Sequence, residues 1–328
     1  ARPAPVEAPS RALDAPPYFV PGLSRTFDVW ESCRRFADAK RPGSFCAYDA
    51  SRLPACLSES HGLPPDPRSG LCDVKGRRAR IEDHHAVVFD DDYALWGVFD
   101  GHVGRAAARH AAAELPTALA ALVDFDRPDV HAVEAAFARV DVAFDDARHA
   151  SSGATATVAV VAASGTLLVA NVGDSRAIVC CDANGEPVAA TRDHVAADPD
   201  EAARIEGLGG RVEQGRVPRV EGKIAVTRSV GNRDLDPYLS AAPDVFVGDL
   251  AEQPTWRFLV VATDGLWDTM SSGEVSRFAE MKLAGRRGDD AFQAVATALT
   301  HEALVRQSSD NVAVVVVDLD AYRAAARF

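Results

Sequence analysis

The chain has 328 residues, of which 47% are hydrophobic and 25% charged, and its net charge at pH 7 is -13. This length and composition suffice for a large core, whereas the negative charge argues against nucleic acid and an anionic membrane surface as partners. No run is long and apolar enough to span a membrane and no signal segment opens the chain, so we expect a cytoplasmic or nuclear protein.

Residues 1–69 form a predicted N-terminal extension. Residues 1–21 carry six prolines among small residues, which is typical of an extended arm. The remainder, from Thr26 to about Gly70, gains aromatic residues and cysteines, and we expect it to brace the following domain, with a docking role as the alternative. The chain begins with Ala1 rather than Met, so a processed leader and export stay open.

Acidic residues flank predicted strands in three later parts of the chain. Short apolar runs rich in Val and aromatic residues, and bounded by Gly, Asp and Asn, predict buried strands. An acidic residue lies beside each of three such runs: Asp100 after Leu95 to Phe99, Asp264 after Phe258 to Ala262, and Asp310 before Val312 to Val317. We therefore expect these acids at sheet edges, where a carboxylate can face a cleft without burial among apolar side chains.

Amphipathic stripes and a hairpin lie between these runs. Helices are predicted by Val133, Phe137, Val140 and Phe144, and by Phe292, Val295, Ala296 and Leu299. The runs 158–161 and 167–172 predict a β-hairpin. Adjacent hairpin strands and external helices indicate an α+β fold with antiparallel sheets.

Glu82 and Asp83 add a fourth acidic segment. Any one of these segments is an ordinary turn or a solvated pair. Carboxylates that converge repel each other unless cations join them, and oxygen ligands without Cys or His suit Mg²⁺ or Mn²⁺ better than Zn²⁺. Two such ions could acidify a bridging water and clamp a phosphoryl group for in-line attack.

The sequence around these acids resembles the metal-dependent protein serine/threonine phosphatases of the 2C type over roughly Gly70 to Asp318. The segment Gly76 to Asp83 is similar to the family's G-x-R-x-x-M-E-D, and Trp96 to His102 matches its F-D-G-H motif. Further ordered matches are Gly153 to Ala156, Val169 to Ala177, Thr191 to His194, Ile224 to Gly231, Phe258 to Trp267 and Ser309 to Val312.

The resemblance implies a binuclear metal centre. Its direct ligands would be Asp100, the Gly101 carbonyl, Asp264 and Asp310, and Asp100 would bridge two Mg²⁺ or Mn²⁺ ions. Glu82 and Asp83 would complete the centre directly or through water. Asp174 matches a residue that holds a third, weaker ion in some members.

The resemblance implies roles for two further residues. Arg78 falls on the phosphate-binding arginine, and a planar guanidinium suits two phosphoryl oxygens. Without the family spacing, Arg77 and Arg80 would be equal candidates. His102 would be the general acid that protonates the leaving serine or threonine oxygen. Its alternative role is to order metal-bound water.

The resemblance also implies an α-β-β-α sandwich over residues 70–328, with a flap at about 195–250, acting on phosphoproteins; we expect a monomer. The chain departs from the family pattern at Val103, Ala154 and Asn232, where Gly, a hydroxyl residue and Asp are common. None of these removes a predicted ligand. We expect Asn232 to affect substrate choice or the third ion.

Two alternatives remain. Cys46 with Arg52 and Cys72 with Arg78 have the C-x5-R spacing of cysteine-dependent phosphatases, but lack the glycine-rich loop and following helix. The other is a catalytically weak pseudophosphatase that serves as a binding module. The six cysteines have no zinc spacing, so reduced thiols are expected, and an exported protein could form a disulfide among Cys33, Cys46, Cys56 and Cys72.

Overall fold

The computed structural model describes residues 20–21, 67–145, 147–181, 186–286 and 290–326. Most of the predicted extension lies outside these ranges, and so do Cys33, Cys46 and Cys56. Two large antiparallel sheets form the centre of the described structure. The first has six strands in the order β1-β3-β4-β7-β8-β14: β1 Val20–Pro21, β3 His84–Phe89, β4 Tyr93–Phe99, β7 Ala156–Ala162, β8 Thr166–Val172 and β14 Asp244–Asp249.

The second sheet has five strands in the order β10-β9-β15-β16-β2. Their bounds are β2 Ser69–Val74, β9 Arg176–Cys181, β10 Val188–Ala189, β15 Trp256–Ala262 and β16 Val312–Asp318. A small sheet joins β13 (Val230–Gly231), β6 (Gly153–Ala154) and β5 (Gly101–His102), and a two-stranded ribbon joins β11 (Val212–Glu213) to β12 (Arg219–Val220).

Seven α-helices occur in the described residues. They are α1 Ala106–Leu122, α2 Val130–Ala143, α3 Pro199–Gly207, α4 Asp264–Trp267, α5 Ser272–Leu283, α6 Ala291–Val305 and α7 Leu319–Ala325. Local signals start several of them: Ser271 and Glu274 form a capping box on α5, and Asp198 caps α3 ahead of Pro199. None of these helices is long and apolar enough to span a membrane.

The hydrophobic residues pack in layers. Trp96, Val261 and Val315 belong to the core between the two sheets. Helices α1 and α2 cover the outer face of the first sheet, and α5 and α6 cover that of the second. The expected α-β-β-α sandwich is confirmed.

Most predicted elements match the structure. The hairpin pairs Val158 with Ala170, and the three strands beside the acids are β4, β15 and β16. Both amphipathic stripes lie on helices, although Phe144 is the C-terminal cap of α2 and not part of it.

The predicted flap, 195–250, has its own small core of Ala196, Ile205, Val220, Leu235 and Leu239. Its last strand, β14, pairs with β8 along its whole length and so belongs to the first large sheet. The part of the flap outside the sheets therefore ends before Asp244.

The cysteines differ from the expectation at one position. Cys180 and Cys181 are buried on opposite faces of β9, and Cys180 is a free thiol. Cys72, by contrast, is disulfide-bonded and only 1% exposed on β2. Its sulfur is thus unavailable as the nucleophile of a C-x5-R phosphatase.

Candidate active site

A cavity of about 490 Å³ opens where the strand ends of both sheets meet. Seven of the side chains assigned from the sequence line it, together with the backbone of Gly101: Arg78, Glu82, Asp100, His102, Asp174, Asp264 and Asp310. Flap residues Arg219, Ile224, Ala225 and Val226 form another part of its wall. The structure thus gathers residues that are more than 230 positions apart in the chain.

Asp100 stands between β4 and β5, and its position depends on close backbone packing. Its amide donates to Thr155 Oγ1 at 3.0 Å, and that hydroxyl lies 2.7 Å from Ser175 Oγ. A Cβ on Gly101 would lie 2.5 Å from the Glu82 carbonyl oxygen. Only glycine therefore lets the Asp100 and Glu82 segments approach this closely.

Asp264 begins α4 at the end of β15. The preceding residue, Thr263, donates its hydroxyl to Asp83 Oδ2 at 2.9 Å and accepts from the Ala313 amide at 3.0 Å. Asp83 is 2% exposed and does not line the cavity; it lies beneath the other acids. Thr263 thereby connects the Asp83 segment to β15 and β16.

Asn311 ties the loop that carries Arg78 and Glu82 to the start of β16. Its Oδ1 accepts from the Glu82 amide at 2.8 Å, and its Nδ2 donates to the carbonyl oxygens of Lys75 at 2.7 Å and Arg80 at 3.1 Å. One buried amide side chain thus fixes this loop beside Asp310.

The carboxyl groups are too close together to ionise independently. Burial raises the pKa of Asp83, Asp100 and Asp174 well above the ordinary value, and neighbouring carboxylates raise it further. Burial, with the charge of Asp310, raises the pKa of Asp264 to about 6. The charges of Asp83, Asp264 and Asp174 are among the causes that raise the pKa of Asp100, so a nearby cation would favour the ionised form of these carboxyls.

These donors fit a hard divalent cation. Asp264 Oδ1 is buried and accepts no hydrogen bond, so an oxygen ligand is left without a partner. The surrounding acidic ligands are all oxygens, which favours Mg²⁺ or Mn²⁺ over Zn²⁺. In the described residues no three acidic, His or Cys side chains are already arranged around one point, so closure of the shell would need side-chain adjustment or water.

Arg78 lies at the mouth of the cavity. Its guanidinium forms an ion pair with Asp310 Oδ2, and its Nε donates to the Ser309 carbonyl at 3.2 Å. The side chain is 55% exposed, so substrate can reach it. Arg80 also lines the cavity, whereas Arg77 does not.

His102 follows Gly101 on β5 and is half-buried. Its Nε2 lies 2.7 Å from Asn232 Oδ1. Burial lowers the pKa of His102, while Asn232 and the charge of Glu82 act in the opposite direction. Asn232 is thus next to the predicted general acid.

Asp174 occupies the turn between β8 and β9, where Gly173 has a φ of +97°. Beyond burial, the charges of Asp264 and Asp193 raise its pKa. It therefore belongs to the same electrostatic cluster as the other acids.

Sequence reasoning did not assign roles to several residues of the site. Asn311, Thr155 and Thr263 support the acids, and Arg219 reaches the cavity from the flap. The signal for the first three is their position beside an acid or within a matched motif.

Comparison with known proteins agrees with this geometry. A family model for protein phosphatase 2C matches residues 68–312. The chain is 36% identical over 297 residues to the probable protein phosphatase 2C 24 of Arabidopsis thaliana, covering 77% of this chain and 79% of that protein. It is 36% identical over 288 residues to the probable protein phosphatase 2C 68 of Oryza sativa subsp. japonica, covering 77% and 78%. A solved serine-threonine phosphatase 2C from Toxoplasma gondii superposes with a TM-score of 0.64 at 26% identity, covering 78% of this chain and 98% of that chain.

Proposed function

Because the chain belongs to the protein phosphatase 2C family, we propose that its cavity hydrolyses phosphoserine and phosphothreonine in proteins, using divalent ions held by Asp100, Asp264 and Asp310. The chain is a metal-dependent protein serine/threonine phosphatase. One observation carries the assignment of the site: several carboxyls with raised pKa values meet in one cavity, and Asp264 Oδ1 there lacks a partner.

The proposed ligands divide into direct and supporting groups. Asp100, the Gly101 carbonyl, Asp264 and Asp310 would contact two Mg²⁺ or Mn²⁺ ions, and Glu82 would contribute directly or through water. Asp83 lies beneath them and would act through water or through its charge. Asp174 would help to hold a third ion. When bound, the ions acidify water and neutralise phosphoryl charge.

The other residues bind the phosphate and move a proton. The Arg78 guanidinium presents two parallel N–H donors, which suit two phosphoryl oxygens. His102 would donate a proton to the serine or threonine oxygen as its bond to phosphorus breaks. Thr155 and Asn311 would hold their segments still, since both bond to backbone groups beside the acids.

The test is hydrolysis of a phosphothreonine peptide by the full chain, with Mn²⁺ and with excess chelator. We expect turnover only with the metal, and we expect it to survive thiol alkylation, because the accessible nucleophile is water. Full activity in chelator would contradict the proposal. Mn²⁺ binding, followed by electron paramagnetic resonance, should weaken in Asp264→Asn and so tests the ligand assignment independently of turnover.

A further inference from the structure

We propose that Asn232 is a positioning residue that holds Nε2 of His102 as a hydrogen-bond donor, so that Nδ1 delivers the proton to the leaving oxygen, a role that rests on the function proposed above for His102. In the sequence, Asn232 stands out only as an amide where the family commonly has a carboxylate.

The hydrogen bonds of Asn232 determine which way its amide faces. Its Nδ2 donates to the Ser151 carbonyl oxygen at 3.0 Å, and a carbonyl oxygen can only accept. The other end, Oδ1, therefore faces His102 Nε2 at 2.7 Å. Because an amide oxygen also only accepts, Nε2 must carry a hydrogen in both the neutral and the charged imidazole. The exchangeable proton is thus on Nδ1.

Asn232 is itself held firmly. It is 2% exposed, its Oδ1 also accepts from Ser229 Oγ at 2.7 Å, and its backbone amide donates to the Ser152 carbonyl at 2.9 Å. Its backbone is left-handed, with φ of 56° and ψ of 44°, a conformation that Asn adopts more readily than most residues. Such a side chain cannot rotate away from His102 without losing several hydrogen bonds.

The small three-stranded sheet brings the two side chains together across Gly153. In its register His102 pairs with Gly153, and Gly153 pairs with Gly231, the residue before Asn232. A Cβ on Gly153 would lie 1.8 Å from Asn232 Oδ1 and 2.3 Å from His102 Nε2. The absence of a side chain at this position is therefore necessary for the contact.

This contact matters only while the leaving group departs. Water forms the new bond to phosphorus and its two hydrogens leave with the product, dihydrogen phosphate. The bond to the serine or threonine oxygen breaks, and its electron pair stays on that oxygen. That oxygen takes the proton from Nδ1 of the imidazolium, which leaves a neutral ring with its hydrogen on Nε2. In the described residues no hydrogen bond occupies Nδ1.

Three variants separate this role from a structural one. Asn232→Gly removes the acceptor but still tolerates the left-handed backbone. Asn232→Asp keeps an acceptor oxygen in the same place. Gly153→Ala leaves both residues present, and because its Cβ would overlap Asn232 Oδ1 and His102 Nε2, at least one of these side chains must leave the contact.

The experiment compares kcat of the Mn²⁺-loaded full chain on a phosphothreonine peptide and on a series of aryl phosphates. Asn232→Gly and Gly153→Ala should lower kcat about 10- to 100-fold on the peptide, whose alkoxide leaving group needs a proton. On p-nitrophenyl phosphate, whose leaving group needs none, the loss should be below about threefold. Asn232→Asp should stay within about threefold of wild type on both.

Equal losses on all substrates, or no loss on the peptide, would overturn the assignment. A second readout is ¹⁵N NMR of histidine-labelled protein, with His102 identified by its absence in His102→Gln. Wild type should show the Nε2–H tautomer, and Asn232→Gly a mixture; a wild-type ring protonated on Nδ1 alone would also overturn it. Wild type without Mn²⁺-dependent turnover would instead remove the proposed function.

Discussion

Two acidic clusters in this molecule differ in what neutralises them. At the cavity, the pKa values of Asp83, Asp100 and Asp174 are raised by burial and by one another. In the flap, burial would also raise the pKa of Glu201, which is 2% exposed, but the hydrogen bonds and charge of Arg228, with the charge of Arg204, lower it to about 2. The pKa of Asp244 falls to about 2 as well, chiefly through its contact with His194, whose Nε2 lies 3.1 Å from Asp244 Oδ2.

In the flap, arginine side chains of the chain itself neutralise the acids, whereas the cavity acids could be neutralised by a bound cation. Glu201 Oε1 lies 2.6 Å from Arg228 and Oε2 lies 3.0 Å from Arg204, so this carboxylate is complete without a ligand. At the cavity, Asp310 pairs with Arg78, whereas burial and neighbouring carboxylates dominate the pKa of the acids named above. In these two clusters the direction of the pKa shift therefore follows the presence or absence of arginines that pair with the carboxylate.

The largest effect should come from removing a cavity acid. Asp264→Asn and Asp310→Asn should each lower kcat by roughly two orders of magnitude or more, because one lost ligand unbalances both ions. The measurement is peptide hydrolysis at saturating Mn²⁺. Glu213→Gln, on the exposed flap ribbon, is the matched control and should turn over normally. Near-native turnover in either Asp variant would remove that residue from the site.

Removing a charge from the flap cluster should lower the stability of the protein. Glu201→Gln should lower the free energy of unfolding by about 3 to 5 kcal/mol, since it leaves two guanidinium groups beside a neutral amide in a largely buried position. Urea denaturation with chelator present measures this. Glu213 pairs with Arg211 at 3.5 Å, and its side chain is 53% exposed. Glu213→Gln should therefore lower the free energy of unfolding by less than about 0.5 kcal/mol. Similar losses for both variants would contradict the contrast between the clusters.

Much of this contrast could be predicted from the sequence, and the reasons are local. Strand runs such as Phe258 to Ala262 end at an acid, so their position at a sheet edge follows from the pattern. The resemblance supplied the grouping of the acids. Neither source reveals that Asn232 bonds to His102, because that contact depends on the register of three short strands. The left-handed φ of 54° at Val103 likewise becomes visible only in the backbone.

Stability of the metal-free protein should depend on pH through Asp264. Its pKa rises from an ordinary 3.8 to about 6 on folding, so its favourable contribution is complete below pH 3.8 and is lost as pH rises through 6. In chelator, the free energy of unfolding of the wild type should therefore fall by about 1 to 3 kcal/mol between pH 4 and pH 7, relative to that of Asp264→Asn. Urea denaturation across this range measures the difference, and excess Mn²⁺ should abolish it. Parallel curves in chelator would refute the prediction.

Arg78 is a cationic side chain that contacts one of the cavity acids, Asp310. Arg78→Ala should raise KM for a phosphopeptide about tenfold, because a two-donor phosphate contact is lost, and should change Mn²⁺ affinity less. Arg77→Ala should do neither. Arg80→Ala is the sharper control, since Arg80 lines the same cavity without being assigned to the phosphate. If Arg80 proved the more sensitive position, phosphate recognition would belong to it.

The smallest effects should come from flap charges that belong to neither cluster. Reversing Arg216 should change kcat/KM for a phosphoprotein by only a few fold and leave a small aryl phosphate unaffected, because this exposed residue lies outside the cavity wall. Arg219 differs, since it lines the cavity and donates to the Lys223 carbonyl at 2.8 Å. Reversing Arg219 should therefore reduce turnover of both substrates, and more strongly for the phosphoprotein. Parallel kcat/KM measurements on the two substrates test this. Identical behaviour of the two variants would mean that the flap acts as one surface, and that proximity to the cavity acids does not set the contribution of its arginines.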